Sequence, residues 1–292
     1  MFHNINSIMD LFTMFPDEQD CIEYMEFIRW GSLVISPFDS DSKVYKCKNN
    51  KYYCVRSNKY FNVKTGTFLE NTKVSMKKWF VAIWLITSYK KGISSLQLGR
   101  EISVTQKTAW GMLNKIREAF SINTDCDQVD GEVEIDETFV GGKNKNRHKN
   151  KKVKNSQGRS YKDKTPVFGI LQRGGKVRTI VVPDTKSKTL NPIIKGCIKP
   201  GSTLYTDEWN YGDISRHYNH RNVNHSANFY ANGDLHTNSI EGFWSIAKKA
   251  VNGTYHYISK KHMQGYFDEF CYRYNTRNIS PCERFHLLLS YI

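Results

Sequence analysis

The chain of 292 residues is short of acid: 28 Asp and Glu stand against 43 Lys and Arg, a formal charge of +15. That imbalance points to a polyanionic partner, because Lys and Arg release condensed counterions when they neutralise phosphates. A merely soluble basic protein is the alternative. No apolar run approaches the roughly 18 residues that span a bilayer, so no membrane association is expected. A basic stretch leading into a long apolar run is missing from the first residues, which argues against a signal peptide. The seven cysteines, Cys21, Cys47, Cys54, Cys126, Cys197, Cys271 and Cys282, are odd in number and scattered. That is not the pattern of a secreted disulfide framework, and an intracellular protein is expected. There is no internal repeat. What remains, 39% hydrophobic and 13% aromatic residues, is too rich for a disordered chain and enough to bury cores.

Texture divides the sequence. Residues 1–30 read as a helical lead-in, with Cys21, Tyr24, Met25 and Ile28 at helical spacing behind Pro16 and Asp17. Residues 31–68 hold short strand-like runs, KVYKC, KYYCV and KYFNV, between turn-forming residues. Residues 69–125 are helical, and 126–292 alternate strands and helices, so the chain is α/β. A basic segment at 143–164 carries ten Lys and Arg against one Asp. It cannot bury a core and reads as a loop. Its Lys143, Lys145, Arg147, Lys149, Lys151 and Lys152 are candidates for phosphate contact, with a solvated loop as the plainer reading.

KGISSLQLGREISVTQKTAWGMLNKIREAF suggests a helix-turn-helix. A first helix spans about 95–101 with Leu96 and Leu98 available for packing, and a second begins near Thr105 as N-cap. Ala109, Met112, Leu113, Ile116 and Phe120 form its apolar face. Gln106, Lys107 and Thr108 then lie at the end that enters the major groove in this motif. Any small three-helix bundle has the same periodicity. Upstream, Trp79, Phe80, Ile83 and Trp84 make the face of a supporting helix.

The chemistry centres on carboxylates. GEVEIDETFVGG puts Val133 and Ile135 on one side of a strand and Glu134 and Asp136 on the other. TPVFGILQRGGKVRTIVVPD reads as a hairpin, SKTLNPIIKGCI as a helix, STLYTDEW as a strand ending at Asp207, and NSIEGFWSIAKKAV as a helix carrying Glu241. That order is the order of an RNase H-like nucleotidyl transferase. At 100° per residue Ile240, Phe243, Trp244, Ala247 and Val251 form one face, with Glu241 and Lys248 together on its border. Phosphodiester cutting builds charge on the entering and the leaving oxygen, and two Mg²⁺ ions held by carboxylates stabilise both. Singly, Asp136 reads equally as a strand-end acid, Asp207 as a turn cap and Glu241 as part of a capping box with Asn238.

IDETFVGGK, YTDEW, VNHS, HTNSIEGFWSIAKK and the tail YHYISKKHMQGYFDEFCYRYNTR, with TKVSMKKWFVAIWLITSYKKGISSLQL upstream, resemble the Merlin-like transposases of the insertion sequence 1595 family. The resemblance runs from about Phe15 to Arg277. It implies an RNase H-like catalytic domain over 126–292 with a catalytic set of Asp136, Asp207 and Glu241, accompanied by Lys248. It also implies a cofactor of two Mg²⁺ ions, with Mn²⁺ able to substitute, held by the three acids. The implied partner is double-stranded DNA, as terminal inverted repeats and as target. A homo-oligomer on DNA and a cytoplasmic location, on the nucleoid in a bacterium, go with that activity. A non-catalytic regulator and a hydrolytic nuclease on the same scaffold are the competing classes.

Many such relatives carry a zinc ribbon with two C-x2-C pairs before the helix-turn-helix. The corresponding positions here hold Ser36, Asp39, Cys54 and Ser57, one strong ligand where a structural zinc takes four. The expectation is a degenerate, zinc-free ribbon held by Tyr45, Tyr53, Tyr60, Phe61 and Val63.

Overall fold

A computed structural model describes residues 5–122, 128–141, 148–154, 160, 163–207, 213–222 and 236–292. It divides into two units, one of residues 1–122 with 278–292 and one of residues 123–277. Among the described residues no helix is long and apolar enough to cross a membrane.

The first unit begins with two helices where one lead-in was expected, α1 (Ile8–Met14) and α2 (Glu18–Trp30). Ser7 with Asp10, and Asp17 with Asp20, form capping boxes that start each helix afresh around Pro16. Three short strands follow, β1 (Val44–Lys46), β2 (Tyr52–Cys54) and β3 (Lys59–Phe61), in an antiparallel sheet of order β1-β2-β3. Its inner face is Tyr52, Cys54 and Phe61, packed with Trp30, Val34 and Val44. Not every residue expected to hold this sheet does so. Phe61 and Val63 are buried, but Tyr45 and Tyr60 are 50% and 64% exposed and hold no core.

Helices α3 (Met76–Ser88), α4 (Ser95–Glu101) and α5 (Gln106–Ile122) come next. Nearly every residue of α3 is buried, as suits a helix apolar all round. Ala109, Met112, Leu113, Ile116 and Phe120 of α5 are all buried, and Thr105 Oγ1 accepts the Thr108 N–H at 3.2 Å as the cap. Leu98 is fully buried, whereas Leu96 is 53% exposed, against expectation. Two residues along a helix turn the side chain through about 200°, so a two-turn helix buries one of the pair and exposes the other. Between α4 and α5 the chain turns tightly: Ser103 takes φ 51°, and a Cβ on Gly99 would lie 3.0 Å from the Val104 carbonyl. The last helix, α9 (Pro281–Leu289), seats Phe285 against Phe80 and Trp84 of α3. These residues therefore group with the first unit, whereas the sequence reading ran its last domain to 292.

The second unit is built on a mixed sheet of order β6-β5-β4-β7-β8. Its strands are β4 (Glu132–Val140), β5 (Thr165–Gln172), β6 (Val177–Val181), β7 (Thr203–Thr206) and β8 (Asn219–Asn222). β4, β5 and β6 are antiparallel neighbours, while β7 runs parallel to β4 and β8 parallel to β7. On one face Val133, Ile135, Phe168 and Ile170 pack with Leu190 and Ile194 of α6 (Ser187–Cys197). On the other Val140, Val167 and Leu171 meet α7 (Asn238–Ala250) and α8 (Met263–Asn275). α8 also satisfies the outer strand, where Gln264 Oε1 accepts the Val181 N–H and Asn275 Oδ1 the Val177 N–H.

Candidate active site

Alternation along β4 sends Val133 and Ile135 into the core and leaves Glu134 and Asp136 on the α7 side. Asp136 is half-buried. Its Oδ2 accepts the indole N–H of Trp244 at 3.0 Å. The indole has room because Asp136 pairs across the sheet with Gly169, where a Cβ would come within 2.5 Å of Trp244 Cζ2. A strand glycine that costs packing elsewhere here admits a ring.

Two residues upstream, Glu134 is fully buried. Its Oε1 takes the Arg173 Nε–H at 2.9 Å and stands 3.6 Å from His236 Nδ1, and its Oε2 takes the Ile240 backbone N–H at 2.9 Å. Arg173 also donates to the His236 carbonyl at 2.5 Å and lies 3.7 Å above the Tyr205 ring. The buried charge is thus paired and fully hydrogen-bonded, the condition under which burial is tolerable. Thr237, at the N-cap of α7, makes no side-chain cap, so Glu134 supplies an acceptor from the neighbouring strand. At the solvent edge the Tyr205 hydroxyl, bonding Glu132 at 2.7 Å, holds that carboxyl below its usual range.

Asp207 directly follows β7. Ile135 pairs with Thr206 in the parallel register, and Asp136 and Asp207 each follow that pair by one residue. Glu241 lies in the first turn of α7, exposed, and its Oε1 accepts from Thr237 Oγ1 at 3.2 Å. The alternative of a capping box with Asn238 is not formed, since the N-cap of α7 is Thr237. Of the predicted apolar face Ile240, Phe243, Trp244 and Ala247 are buried and Val251 is half-buried, and Lys248 is exposed in the last turn beside Lys249. Among the described residues no three His, Cys, Asp or Glu side chains stand close enough together to hold a metal ion. Among the described residues the three acids do not form a closed ligand set.

Of the other candidates, Lys107 is exposed at the start of α5 and Gln106 donates to Ser95 Oγ of α4 at 2.8 Å. Thr108 is half-buried and shares a hydrogen bond with Thr105 Oγ1. Lys149 and Lys151 bound a single 3-10 turn, and Lys149 and Lys152 are exposed. Lys143, Lys145, Arg147 and the VNHS segment lie outside the described residues.

Around Cys54, two of the four aligned positions, Ser36 and Ser57, come together, joined by Ser42. Burial pushes the thiol up, but the hydroxyls of Ser36, Ser42 and the otherwise unpartnered Ser57 outweigh it and bring the pKa down to about 7. Asp39 is turned to Arg56, 3.7 Å away.

A sequence profile of the ISXO2-like transposase domain matches residues 128–275. The chain is 26% identical, over 88% of its length and 90% of the relative's, to an uncharacterised protein in the transposable element ISH50 of Halobacterium salinarum. It is 37% identical to an uncharacterised transposase-like protein of Haemophilus influenzae, over 36% of this chain and 85% of that one. Among solved structures the Mos1 strand transfer complex gives a TM-score of 0.30 at 11% identity, covering 67% of this chain and 70% of that one.

Proposed function

Since the chain belongs to the ISXO2-like transposase family, we propose that it is an active DNA transposase that binds element ends, cuts them and joins the 3′-hydroxyls to target DNA. The observation that carries this reading is the parallel pairing of Ile135 with Thr206, the residues just before Asp136 and Asp207, with Glu241 on the helix whose Trp244 bonds Asp136. The five-strand order, three antiparallel strands followed by two parallel ones, supports an RNase H-like class for the unit.

Asp136, Asp207 and Glu241 are hard oxygen donors, which fits Mg²⁺ or Mn²⁺. When bound, two such ions supply Lewis-acid stabilisation of the attacking and leaving oxygens. The chain's own part is positioning. Trp244 holds one Asp136 oxygen, while Glu134 and Arg173 fix the start of α7 and with it Glu241. Lys248, two turns on, is proposed to meet a phosphate beside the one being cut. Gln106, Lys107 and Thr108 are proposed to enter the major groove from the start of α5, with the lysines of the 143–152 segment on the backbone. Two element ends are processed together, so a dimer or larger assembly on DNA is part of the proposal.

The test is a cleavage-and-joining assay with defined DNA ends. Joined products in Mg²⁺, absent in EDTA, support it. Cutting without joining would make the protein a nuclease, and binding without either would make it a regulator.

A further inference from the structure

The outward face of the β1-β2-β3 sheet has a composition that no role in folding requires. Register places Tyr45 opposite Tyr53 and Tyr53 opposite Tyr60, so three tyrosines form one row across all three strands. The opposite face alone carries the core, through Tyr52, Cys54 and Phe61. Tyr45 and Tyr60 are half to two-thirds exposed, at 50% and 64%. The middle ring is fixed, since the Tyr53 hydroxyl donates to Asn58 Oδ1 at 2.6 Å, and it lies 5.1 Å from Tyr60 at a tilt of 51°.

The charge around this row is of one sign. From residue 42 to residue 69 there is no Asp or Glu, while Lys43, Lys46, Lys48, Lys51, Arg56 and Lys59 are all exposed. Arg56 is partnered by Asp39 from outside that span. Lys43 sits 5.1 Å from the Tyr45 ring centre, and alternation puts Lys51 on the tyrosine face as well.

We propose that this face binds single-stranded nucleic acid, stacking unpaired bases on Tyr45 and Tyr60 while Lys43 and Lys51 meet the phosphates. Exposed rings beside cations satisfy both halves of such a ligand: every base offers a π-face, and the backbone offers charge. A duplex offers only the second half, because its bases are stacked on one another. Strands set about 4.8 Å apart give a platform for roughly two or three bases. The plainer role for the row, cross-strand aromatic pairing, stabilises a sheet by about 0.2–1 kcal/mol per pair and does not call for the lysines.

Binding is independent of strand cutting, so the full-length protein is tested in EDTA by fluorescence anisotropy with labelled oligothymidylate and a duplex of equal length. Tyr45→Ala and Tyr60→Ala are each expected to weaken single-strand binding by about fivefold or more. Tyr45→Phe and Tyr60→Phe keep the ring and should bind within about twofold of the parent. Duplex binding should change little in all four. Lys43→Ala and Lys51→Ala should each lower the log–log salt slope by about 0.7. Because an alanine variant can disturb a three-stranded sheet, the unmodified protein supplies a second reading: bound oligothymidylate should protect Tyr45 and Tyr60 from nitration. An oligouridylate arm distinguishes a DNA strand from an RNA one, and either preference supports the platform. Equal losses on single strand and duplex, phenylalanine variants as weak as alanine ones, or unprotected tyrosines would overturn it.

Discussion

Glu134, buried on β4, accepts the Ile240 backbone N–H at 2.9 Å, joining the central strand to the first turn of α7 one residue before Glu241. The carboxylate is shared with Arg173, itself nearly buried. Removing one partner of a buried pair strands the other, so Arg173→Ala should cost roughly 3–5 kcal/mol in urea unfolding. Glu134→Gln keeps an acceptor for one donor and should cost less. A loss under about 1 kcal/mol for Arg173→Ala would mean that the brace contributes little.

Trp244 and Gly169 should behave as one device. Trp244→Phe keeps a ring beside Phe243 and Phe267 but deletes the donor to Asp136. Gly169→Ala pushes on the indole instead. Both variants should fold and bind DNA, cut ten- to a hundredfold more slowly, and need more Mg²⁺ for half-maximal rate, since small misplacements of a reacting group have effects of about that size. An unchanged Mg²⁺ midpoint in both would confine Trp244 to packing.

The acids themselves should be indispensable. Asp136→Asn, Asp207→Asn and Glu241→Gln should each lower cleavage by about a thousandfold or more while leaving DNA binding in place. Lys248→Ala should weaken binding of cleavage-ready DNA and reduce the salt slope by about one, with Lys249→Ala as control. Equal small effects from the two lysines would reduce the catalytic set to the acids.

Cys54 gives a pH dependence. Its folded pKa, about 7, lies below that of an ordinary thiol, so its contribution to stability is fully present above the unfolded thiol's pKa and is lost as pH falls through about 7. The difference in melting temperature between the parent and Cys54→Ala should therefore widen from pH 7 to pH 9, and Ser57→Ala should flatten it. Elemental analysis of chelator-washed protein should find far less than one zinc per chain. A tightly held stoichiometric zinc, or a difference flat across that range, would contradict the serine cage.

The sequence revealed whatever depends on local period. β4, the β5–β6 hairpin and the apolar face of α7 follow from alternation and from the 100° step. Strand β8, four polar residues paired with β7, has no apolar face to announce it. In KYYCV two adjacent tyrosines leave the inward one undecided, and the sheet settles it by burying Tyr52 beside Trp30. Glu134 was legible as a neighbour of Asp136, but its partner Arg173 comes from a turn 39 residues away. Trp244 was legible as core, and only the fold shows that its N–H is aimed at Asp136.

Because α9 is the surface against which Phe80 and Trp84 close, the first unit is interrupted by the second in the order of synthesis. A ribosome delivers the carboxylate-bearing unit whole before the helices around α3 have their last partner. Those helices stay open until residues 278–292 have emerged, so the half proposed to read DNA matures last. A truncation meant to trim only the tail would then damage the other end of the protein, stripping Phe80 and Trp84 of their contact with Phe285 while the sheet that carries Asp136 stays intact.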